Sequence, residues 1–598
     1  MAKMSLEQKE QAKRKSKSKK AVEVPVKPVD TLDVGASRAA ADATAKKKFT
    51  ARVSKLDNLL KHFPKGFTPR DIQVEALRKV HAEYRNDADY VVLEAPPGTG
   101  KSHMAMTTAK AYGRTYLTTL TEQLQEQYTN LFGKTHPLKV LKGRGKYQCN
   151  RANDTCKVGK QLFTGKNKCG EHVCPYLTAK KDAFAADIMV SNYHSFLANI
   201  GQASEAEGAL ADAAYDMGEG HGHGESGESV PRDFMVCDEA HVIESFLMDT
   251  VGFTVNREKL QVETPDLPDE ERSATPYVDW MKEVIPLVIE RMKAIVDPEA
   301  KDELRNLVMK MAFAVREATE HPTEFIPERG REGFNGPLRP DWFALKPLRV
   351  AKYGPWITRH AHRLLLMSAT VLDAGMLVSS LGLAPAKGAF VQMGSVFPKE
   401  NRPINLYPMN MSKGARDEVW PVMADMVDKL LTFHGAEKGL LLCPSNEMLK
   451  YIRSKVSRRN SERLIEAYGE ERKARYNEHV NGKSPSVLAA SGYWEGADLA
   501  GDASRFQIVP SAPRPMWQGQ IKARAQLEDR WYRWMTWTKF VQGYGRSIRS
   551  DTDTAITYTF DRELEFEMNR PRGSMIPPWM KEAICVKKGV GTAEQAEE

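Results

Sequence analysis

The chain has 598 residues, 41% of them hydrophobic, and 87 basic against 78 acidic side chains give it a formal net charge of +9. That length allows roughly four domains, the modest positive charge suits a polyanion without proving one, and no run of about 18 apolar residues is present to span a bilayer. Met1 to Lys20 is basic and polar, without the apolar stretch of a secretory leader, so a cytoplasmic, reducing location is expected.

Residues 1–50 read as a disordered basic tail: Lys13 to Lys20 is lysine-rich, and the residues after it show no periodic apolar face. Order is expected near Arg52. The segment Phe67-Thr-Pro-Arg70-Asp-Ile-Gln73 precedes a predicted helix, with Arg70 and Gln73 spaced to touch an adenine. The apolar strand Tyr90 to Leu93 then leads into Ala95-Pro96-Pro97-Gly98-Thr99-Gly100-Lys101-Ser102 and a helix-compatible run from His103 to Tyr112. Strand, glycine-rich loop and helix in that order make a phosphate cradle: backbone N–H groups and the helix N-terminus face the anion, Lys101 reaches the β- and γ-phosphates, and Ser102 holds Mg²⁺.

Four of the seven cysteines come soon after, Cys149, Cys156, Cys169 and Cys174. In a reducing compartment such a cluster argues for a metal or an iron–sulfur centre rather than for disulfides. The gaps suit thiolates converging from separate loops on one cubane; structural zinc, which prefers tighter cysteine pairs, is the alternative. Between Leu141 and Lys168 the same segment carries Lys142, Arg144, Lys146, Arg151, Lys157, Lys160, Lys166 and Lys168 against the single acid Asp154, a pattern that suits contact with a phosphate backbone.

An acidic, glycine-rich stretch with two histidines, residues 201–232, reads as a linker. The next strand ends in Phe234-Met-Val-Cys-Asp238-Glu239-Ala-His241, where Asp238 is placed to bind Mg²⁺, Glu239 to polarise an attacking water, and His241 to couple the site to a second lobe. From Asp269 to His321 apolar residues recur at helical spacing, broken at Asp297-Pro298, and Pro286 should kink the first helix or displace its start. A mostly helical insertion of about a hundred residues is expected there.

Leu364 to Met367 is a further apolar strand ending in Ser368-Ala-Thr370, suited to linking hydrolysis with lobe movement, and strand-loop units at Gly439 and Ser486 indicate a second α/β lobe. Trp531, Trp534 and Trp537 share a helix face and read as packing against that second lobe rather than as base-stacking platforms. Immediately after them, Gln542-Gly-Tyr-Gly-Arg546-Ser-Ile-Arg549 places two guanidinium groups three residues apart, the spacing of arginine fingers that reach a γ-phosphate on the opposite lobe.

From about Phe67 to Arg562 the chain resembles the DinG/XPD family of superfamily 2 helicases. The resemblance rests on the cysteine borders Lys142-Gly-Arg-Gly-Lys-Tyr-Gln-Cys149 and Cys174-Pro-Tyr176, on Ser191-Asn192-Tyr193-His194, on Phe397-Pro-Lys-Glu-Asn401-Arg, and on Tyr493-Trp494-Glu495-Gly496-Ala-Asp498. It implies an α/β fold of two RecA-like lobes with parallel sheets, an iron–sulfur domain and a helical arch both inserted in the first lobe, and ATP bound between the lobes. On this reading 51–142, 179–243 and 351–390 form lobe 1, 143–178 the cluster domain, 244–350 the arch, 391–585 lobe 2 and 586–598 a flexible end. It further implies a 4Fe–4S cluster on the four cysteines, Glu495, Gly496 and Asp498 at the nucleotide, and Thr118, Thr119, Asn192 and Tyr193, with Arg144 and Lys146, on the nucleic acid. The implied activity is 5′-to-3′ movement on single-stranded DNA and opening of forked or tailed duplexes, by a monomer. An RNA or hybrid translocase, or a noncatalytic DNA-binding adaptor with a degenerate ATPase, are the alternatives.

Overall fold

The computed structural model describes residues 34–56, 58–163, 174–201, 231–269, 272–331, 338–494, 499, 501–548 and 552–587. The chain divides into residues 1–48 and 49–598. The described part of the first unit is helical, the beginning of a helix Val34–Lys55, so residues 34–50 are not the disordered tail that their composition predicts. Alanines occupy much of that stretch, and alanine has the highest intrinsic helix propensity.

In the second unit, β1 (Tyr90–Glu94), β2 (Thr115–Thr119) and β3 (Leu138–Leu141) precede a short antiparallel ribbon of β4 (Gln148–Cys149) and β5 (Asp154–Thr155). β6 (Ile188–Asn192) and β7 (Phe234–Asp238) come next, then β8 (Phe253–Asn256), β9 (Phe325–Arg331) and β10 (Leu338–Pro347), and then β11 (Leu364–Ser368) and β12 (Gly388–Gln392). The first large sheet is ordered β12-β1-β11-β7-β2-β6-β3, and every pairing in it is parallel. β1, β2, β6, β7 and β11 are buried along their whole length, as strands covered by helices on both faces must be.

β13 (Ile404–Met409), β14 (Gly439–Leu442), β15 (Leu464–Glu466), β16 (Val487–Ala490), β17 (Phe506–Val509), β18 (Ile556–Asp561) and β19 (Ile584–Val586) build a second all-parallel sheet, ordered β15-β16-β14-β17-β18-β13-β19. Two seven-stranded α/β lobes result. No described helix is long and apolar enough to cross a membrane.

Residues 244–350 are less helical than their periodicity predicts. Two long helices, Thr275–Ala294 and Pro298–Glu320, pack together, the second capped by Asp297 on the Ala300 N–H at 2.8 Å. Beside them lies an antiparallel sheet ordered β8-β10-β9. β9 (Phe-Ile-Pro-Glu-Arg-Gly-Arg) is apolar only at its start and carries a proline and a glycine, so its composition argues weakly for a strand and its pairing with β10 holds it as one. The helix Thr275–Ala294 runs through Pro286 without ending.

The helix Asp529–Tyr544 belongs to lobe 2, yet two of its indole N–H groups are satisfied by lobe 1 and its insertion. Trp531 Nε1 donates to both carboxylate oxygens of Glu244, at 3.1 and 3.0 Å, and Trp534 Nε1 donates to the Val371 carbonyl at 2.8 Å. For Trp531 and Trp534 the expectation of packing against lobe 2 is therefore corrected: they are core, but the core between the lobes. Arg524, on the preceding helix Gly519–Leu527, reaches Glu244 Oε1 at 2.5 Å and stacks over the Trp531 ring at 4.1 Å. Glu244 and Arg524 are both under 5% exposed. The same short helix meets the inserted sheet, where Gln520 N–H donates to Glu328 Oε1 at 2.9 Å.

Breaking a buried pair leaves an uncompensated charge and costs about 3–5 kcal/mol, whereas replacing both partners by apolar groups is close to neutral. Arg524→Met should lower the thermal unfolding midpoint, and adding Glu244→Leu should recover most of the loss. A double variant no more stable than the single one would contradict the paired-burial account.

Candidate functional site

The phosphate loop is shaped by two glycines in the left-handed region, Gly98 at φ 79° and Gly100 at φ 80°, a conformation other residues adopt only under strain. Their missing side chains also make room. A Cβ on Gly100 would lie 2.1 Å from Gln73 Nε2 and 2.9 Å from an Arg70 guanidinium nitrogen, and one on Gly98 would lie 2.1 Å from the Phe397 ring. Arg70 and Gln73 thus stand against the loop, held to each other by the Arg70 N–H on Gln73 Oε1 at 3.0 Å. Phe397, at the entry to lobe 2, covers it from another direction. Gly100 caps the helix Lys101–Tyr112, whose first residue sends its ammonium to the Ala95 carbonyl at 3.2 Å.

β7 ends at the same place. Asp238 is buried; its Oδ1 accepts the Glu239 N–H at 3.1 Å, and its Oδ2 accepts the Tyr128 hydroxyl at 2.9 Å. Burial raises the Asp238 carboxyl above its ordinary range, reinforced by Glu239 and opposed by Lys101 and by the Tyr128 hydrogen bond. Tyr128 thus holds one oxygen of the carboxylate that, with the Ser102 hydroxyl, is expected to hold Mg²⁺. A hydroxyl and a carboxylate with room for water are hard oxygen donors of the kind Mg²⁺ takes. Glu239 sits at φ 54°, a left-handed, strained conformation for a non-glycine residue.

The Asp-Glu-Ala-His strand, the Ser-Ala-Thr strand and lobe 2 meet in one hydrogen-bonded chain. His241 Nδ1 lies 3.4 Å from Glu239 Oε2 and 2.8 Å from Ser368 Oγ, its Nε2 meets the Gln542 amide, and that amide donates to Thr370 Oγ1 at 3.2 Å. A neutral imidazole with its proton on Nδ1 satisfies these contacts, donating to Ser368 and accepting from Gln542. Two further groups escape motif reasoning. Glu94, the last residue of β1, is fully buried and accepts the Leu372 N–H at 2.5 Å and Gln392 Nε2 at 2.8 Å, tying the strand before the phosphate loop to the Ser-Ala-Thr loop. Tyr128 is the other; nothing in its spacing from Lys101 marks it.

Other expected positions are placed differently. Arg546 Nε donates to the Trp494 carbonyl at 3.0 Å, within lobe 2, while the adjacent Gly545 lies against Pro97 of the loop, 3.1 Å from where its Cβ would be. Arg549, Glu495, Gly496, Asp498 and Cys169 lie outside the described residues. Thr118, Thr119, Asn192 and Tyr193 do not face solvent as nucleic-acid grips would: all four are buried. Thr118 donates to the Val236 carbonyl at 3.3 Å, Thr119 to the Thr121 carbonyl at 3.2 Å, and Tyr193 to the Asp238 carbonyl at 2.9 Å, while Asn192 caps the turn at Ser195 at 2.7 Å. Small polar residues at strand ends are drawn to the orphan backbone groups of the next turn.

The basic run is also partly neutralised. Lys142 pairs with Glu126 at 2.8 Å, Lys146 with Glu122 at 3.2 Å and Lys157 with Glu299 at 3.8 Å. These acids lie outside the segment in sequence, so its excess of positive charge is smaller in space than along the chain. Arg144 turns inward, over the Tyr176 ring at 4.1 Å and 3.9 Å from Cys156 Sγ.

Cys149, Cys156 and Cys174 are buried. Cys156 opens the helix Cys156–Leu162, Cys174 caps the helix Pro175–Ala185, and their sulfurs are 3.7 Å apart. Cys149 Sγ packs on the first turn of the former helix, 2.4 Å from where a Cβ on Gly159 would be. Burial and Cys174 push the Cys156 thiol up to about 11, against the pull of Arg144. Among the described residues no three Cys, His or carboxylate side chains converge closely enough to hold a metal ion. The donor set still fits an iron centre: two buried thiols meet at helix N-termini beside a guanidinium, and a third lies one turn away.

Losing a hydrogen bond to a buried group costs about 1–3 kcal/mol. Gln542→Ala should therefore reduce nucleotide turnover by about tenfold or more while leaving nucleotide affinity nearly unchanged, because the amide acts through His241 and Thr370. Equal losses in affinity and turnover would place Gln542 in ground-state binding instead.

Two family models match the chain, the Type III restriction enzyme res subunit over residues 66–251 and the Helicase C-terminal domain over residues 430–583. The ATP-dependent DNA helicase YoaA of Haemophilus influenzae is 23% identical over 633 residues, covering 86% of this chain and 94% of that protein. A probable ATP-dependent helicase of Methanocaldococcus jannaschii is 27% identical over 32% of this chain and 31% of its own length. Among solved structures, an XPD helicase covers 83% of this chain and 96% of its own with a TM-score of 0.55 at 14% identity, and S. tokodaii Xpd4 covers 87% and 100% with a TM-score of 0.53 at 13% identity. The fold is that of XPD, with two RecA-like lobes. With these matches in both lobes and a DNA helicase similar to it nearly from end to end, the chain is similar to the DinG/XPD-like superfamily 2 helicases.

Proposed function

We propose that this protein is an ATP-dependent DNA helicase that moves 5′ to 3′ along a single strand and opens forked or tailed duplexes. The observation that carries the reading is the chain of contacts from Glu239 through His241 to Gln542, with Ser368 on the same imidazole, which joins the carboxylate expected to polarise the attacking water to a helix of the other lobe. Similarity to a named DNA helicase over nearly its whole length supports DNA as the substrate.

Arg70 and Gln73 would hold the adenine, and the amides of Gly98 to Ser102 the phosphates. Lys101 would leave the Ala95 carbonyl for the β- and γ-phosphates, and Glu239 would orient the attacking water. Ser102 and Asp238 would hold Mg²⁺, which would supply charge neutralisation at the phosphates. Arg546 and Arg549 would approach the γ-phosphate as the lobes close, with Glu495, Gly496 and Asp498 beside it. Loss of the γ-phosphate changes what Glu239 faces, and His241 passes that change to Gln542, so turnover becomes lobe movement. Cys149, Cys156, Cys169 and Cys174 would hold a 4Fe–4S cluster, which supplies a rigid cross-link to a segment too small to build its own core.

Tailed duplexes test the central claim. With ATP, a duplex bearing a 5′ single-stranded tail should open and one bearing only a 3′ tail should not, while Lys101→Ala should bind single strands but open neither. Preferential opening of the 3′-tailed duplex, or of RNA over DNA, would refute the proposed polarity or substrate.

The cluster has its own test. Protein purified without oxygen should be brown and contain about four irons and four sulfides per chain, and Cys156→Ser should bleach it and impair strand separation more than DNA-stimulated hydrolysis. Colourless protein with one zinc per chain and full unwinding would refute it.

A further inference from the structure

Tyr128 lies on the helix Glu122–Phe132, between β2 and β3, in a stretch that carries no recognisable nucleotide motif. Its ring is 1% exposed and tilted against Phe132, with centroids 6.0 Å apart. Its hydroxyl donates to Asp238 Oδ2 at 2.9 Å. With Oδ1 of the same carboxylate held by the Glu239 N–H at 3.1 Å, both oxygens of Asp238 have fixed partners, and the carboxylate plane cannot rotate without breaking one of them. A phenol is a good tether for this purpose: the ring is rigid, only two torsions need be fixed, and the hydroxyl donates.

We propose that Tyr128 is a positioning residue for the nucleotide's metal ion, its hydroxyl fixing the Asp238 carboxylate so that this oxygen ligand is set before the metal arrives. The proposal rests on the ATP and Mg²⁺ reading above. Tyr128 does not touch the reacting atoms; it acts through Asp238, as groups behind metal ligands do, where their loss typically weakens metal affinity by about ten- to a hundredfold. Ordering the ligand in advance removes an entropic cost that the incoming metal would otherwise meet.

Tyr128→Phe removes a single oxygen from a buried ring and keeps its packing. Mn²⁺ binding to the full-length protein in the presence of ADP, monitored by electron paramagnetic resonance, should weaken by roughly ten- to a hundredfold in this variant. ADP binding measured in EDTA should stay within about twofold, and the thermal midpoint should confirm a folded protein. A merely structural role would move the metal-free nucleotide affinity as well. In an Asp238→Asn background the same substitution should add almost nothing, because the phenol acts through that carboxylate. Wild-type protein that takes up no Mn²⁺ with ADP would overturn both the site reading and this proposal. Normal wild-type uptake with an unchanged Tyr128→Phe variant, or full additivity with Asp238→Asn, would overturn the proposal alone.

Discussion

The contact between Gln542 and His241 is the constraint on which the rest of the molecule turns. It is a hydrogen bond between two buried side chains from different lobes, and both lie on chains of further bonds: His241 to Ser368 and Glu239, Gln542 to Thr370. In a low-dielectric interior such a network is strong only while every member is satisfied. A change at Glu239 is therefore felt at Gln542, and the helix Asp529–Tyr544 that carries Gln542 is itself fastened to lobe 1 by Trp531 and Trp534. One helix of lobe 2 thus reads the state of lobe 1 at several points along its length.

The fastening has two regions of different character. Near the phosphate loop the contacts are small and polar: Gly545 beside Pro97, Phe397 over Gly98, Gln542 on His241. Such contacts can be exchanged at low cost as a nucleotide comes and goes. Farther along, the Glu244–Arg524–Trp531 group is deeply buried and combines an ion pair, indole hydrogen bonds and stacking. Separating it would strand a charge, so it is the better candidate for a pivot than for a gate. Gln520 on Glu328 extends the same attachment to the inserted sheet, which brings the insertion under the influence of lobe 2 although the chain inserts it in lobe 1.

The nucleotide side is organised by strain and burial. Glu239 in a left-handed conformation and Asp238 with a carboxyl raised by burial are both less comfortable than they would be in water. A scaffold of bonds from Tyr128, Tyr193 and the Glu239 N–H keeps the pair in place. The cysteine domain is built on another logic: its three described thiols are buried, and the charge nearest to them is Arg144, which itself stacks on Tyr176.

Much of this was legible along the chain. The phosphate loop, the Asp-Glu-Ala-His strand, the Ser-Ala-Thr strand and the helix that carries Gln542 are local, each a few consecutive residues whose chemistry is set by their immediate neighbours, so their existence and order could be read directly; Arg546, expected on that same helix, lies past its end at Tyr544. Two parallel lobes are likewise expected from continuous apolar strands alternating with helical runs. Non-local facts could not be read in this way. β9 is held as a strand by its pairing with β10, and the acids that neutralise Lys142, Lys146 and Lys157 come from elsewhere in the chain. The tryptophans carry a pattern that says buried but not against which partner. Thr118, Thr119, Asn192 and Tyr193 have side chains able to hold a phosphate backbone, and only the fold shows those groups turned to the backbone of neighbouring strands and turns. Tyr128 is the clearest case: its role depends on one oxygen meeting Asp238, 110 residues after it. Sequence determined which chemistries were available; long-range packing decided which side chains were free to perform them, because hydrogen bonds form between groups that the fold brings together, however far apart they stand along the chain.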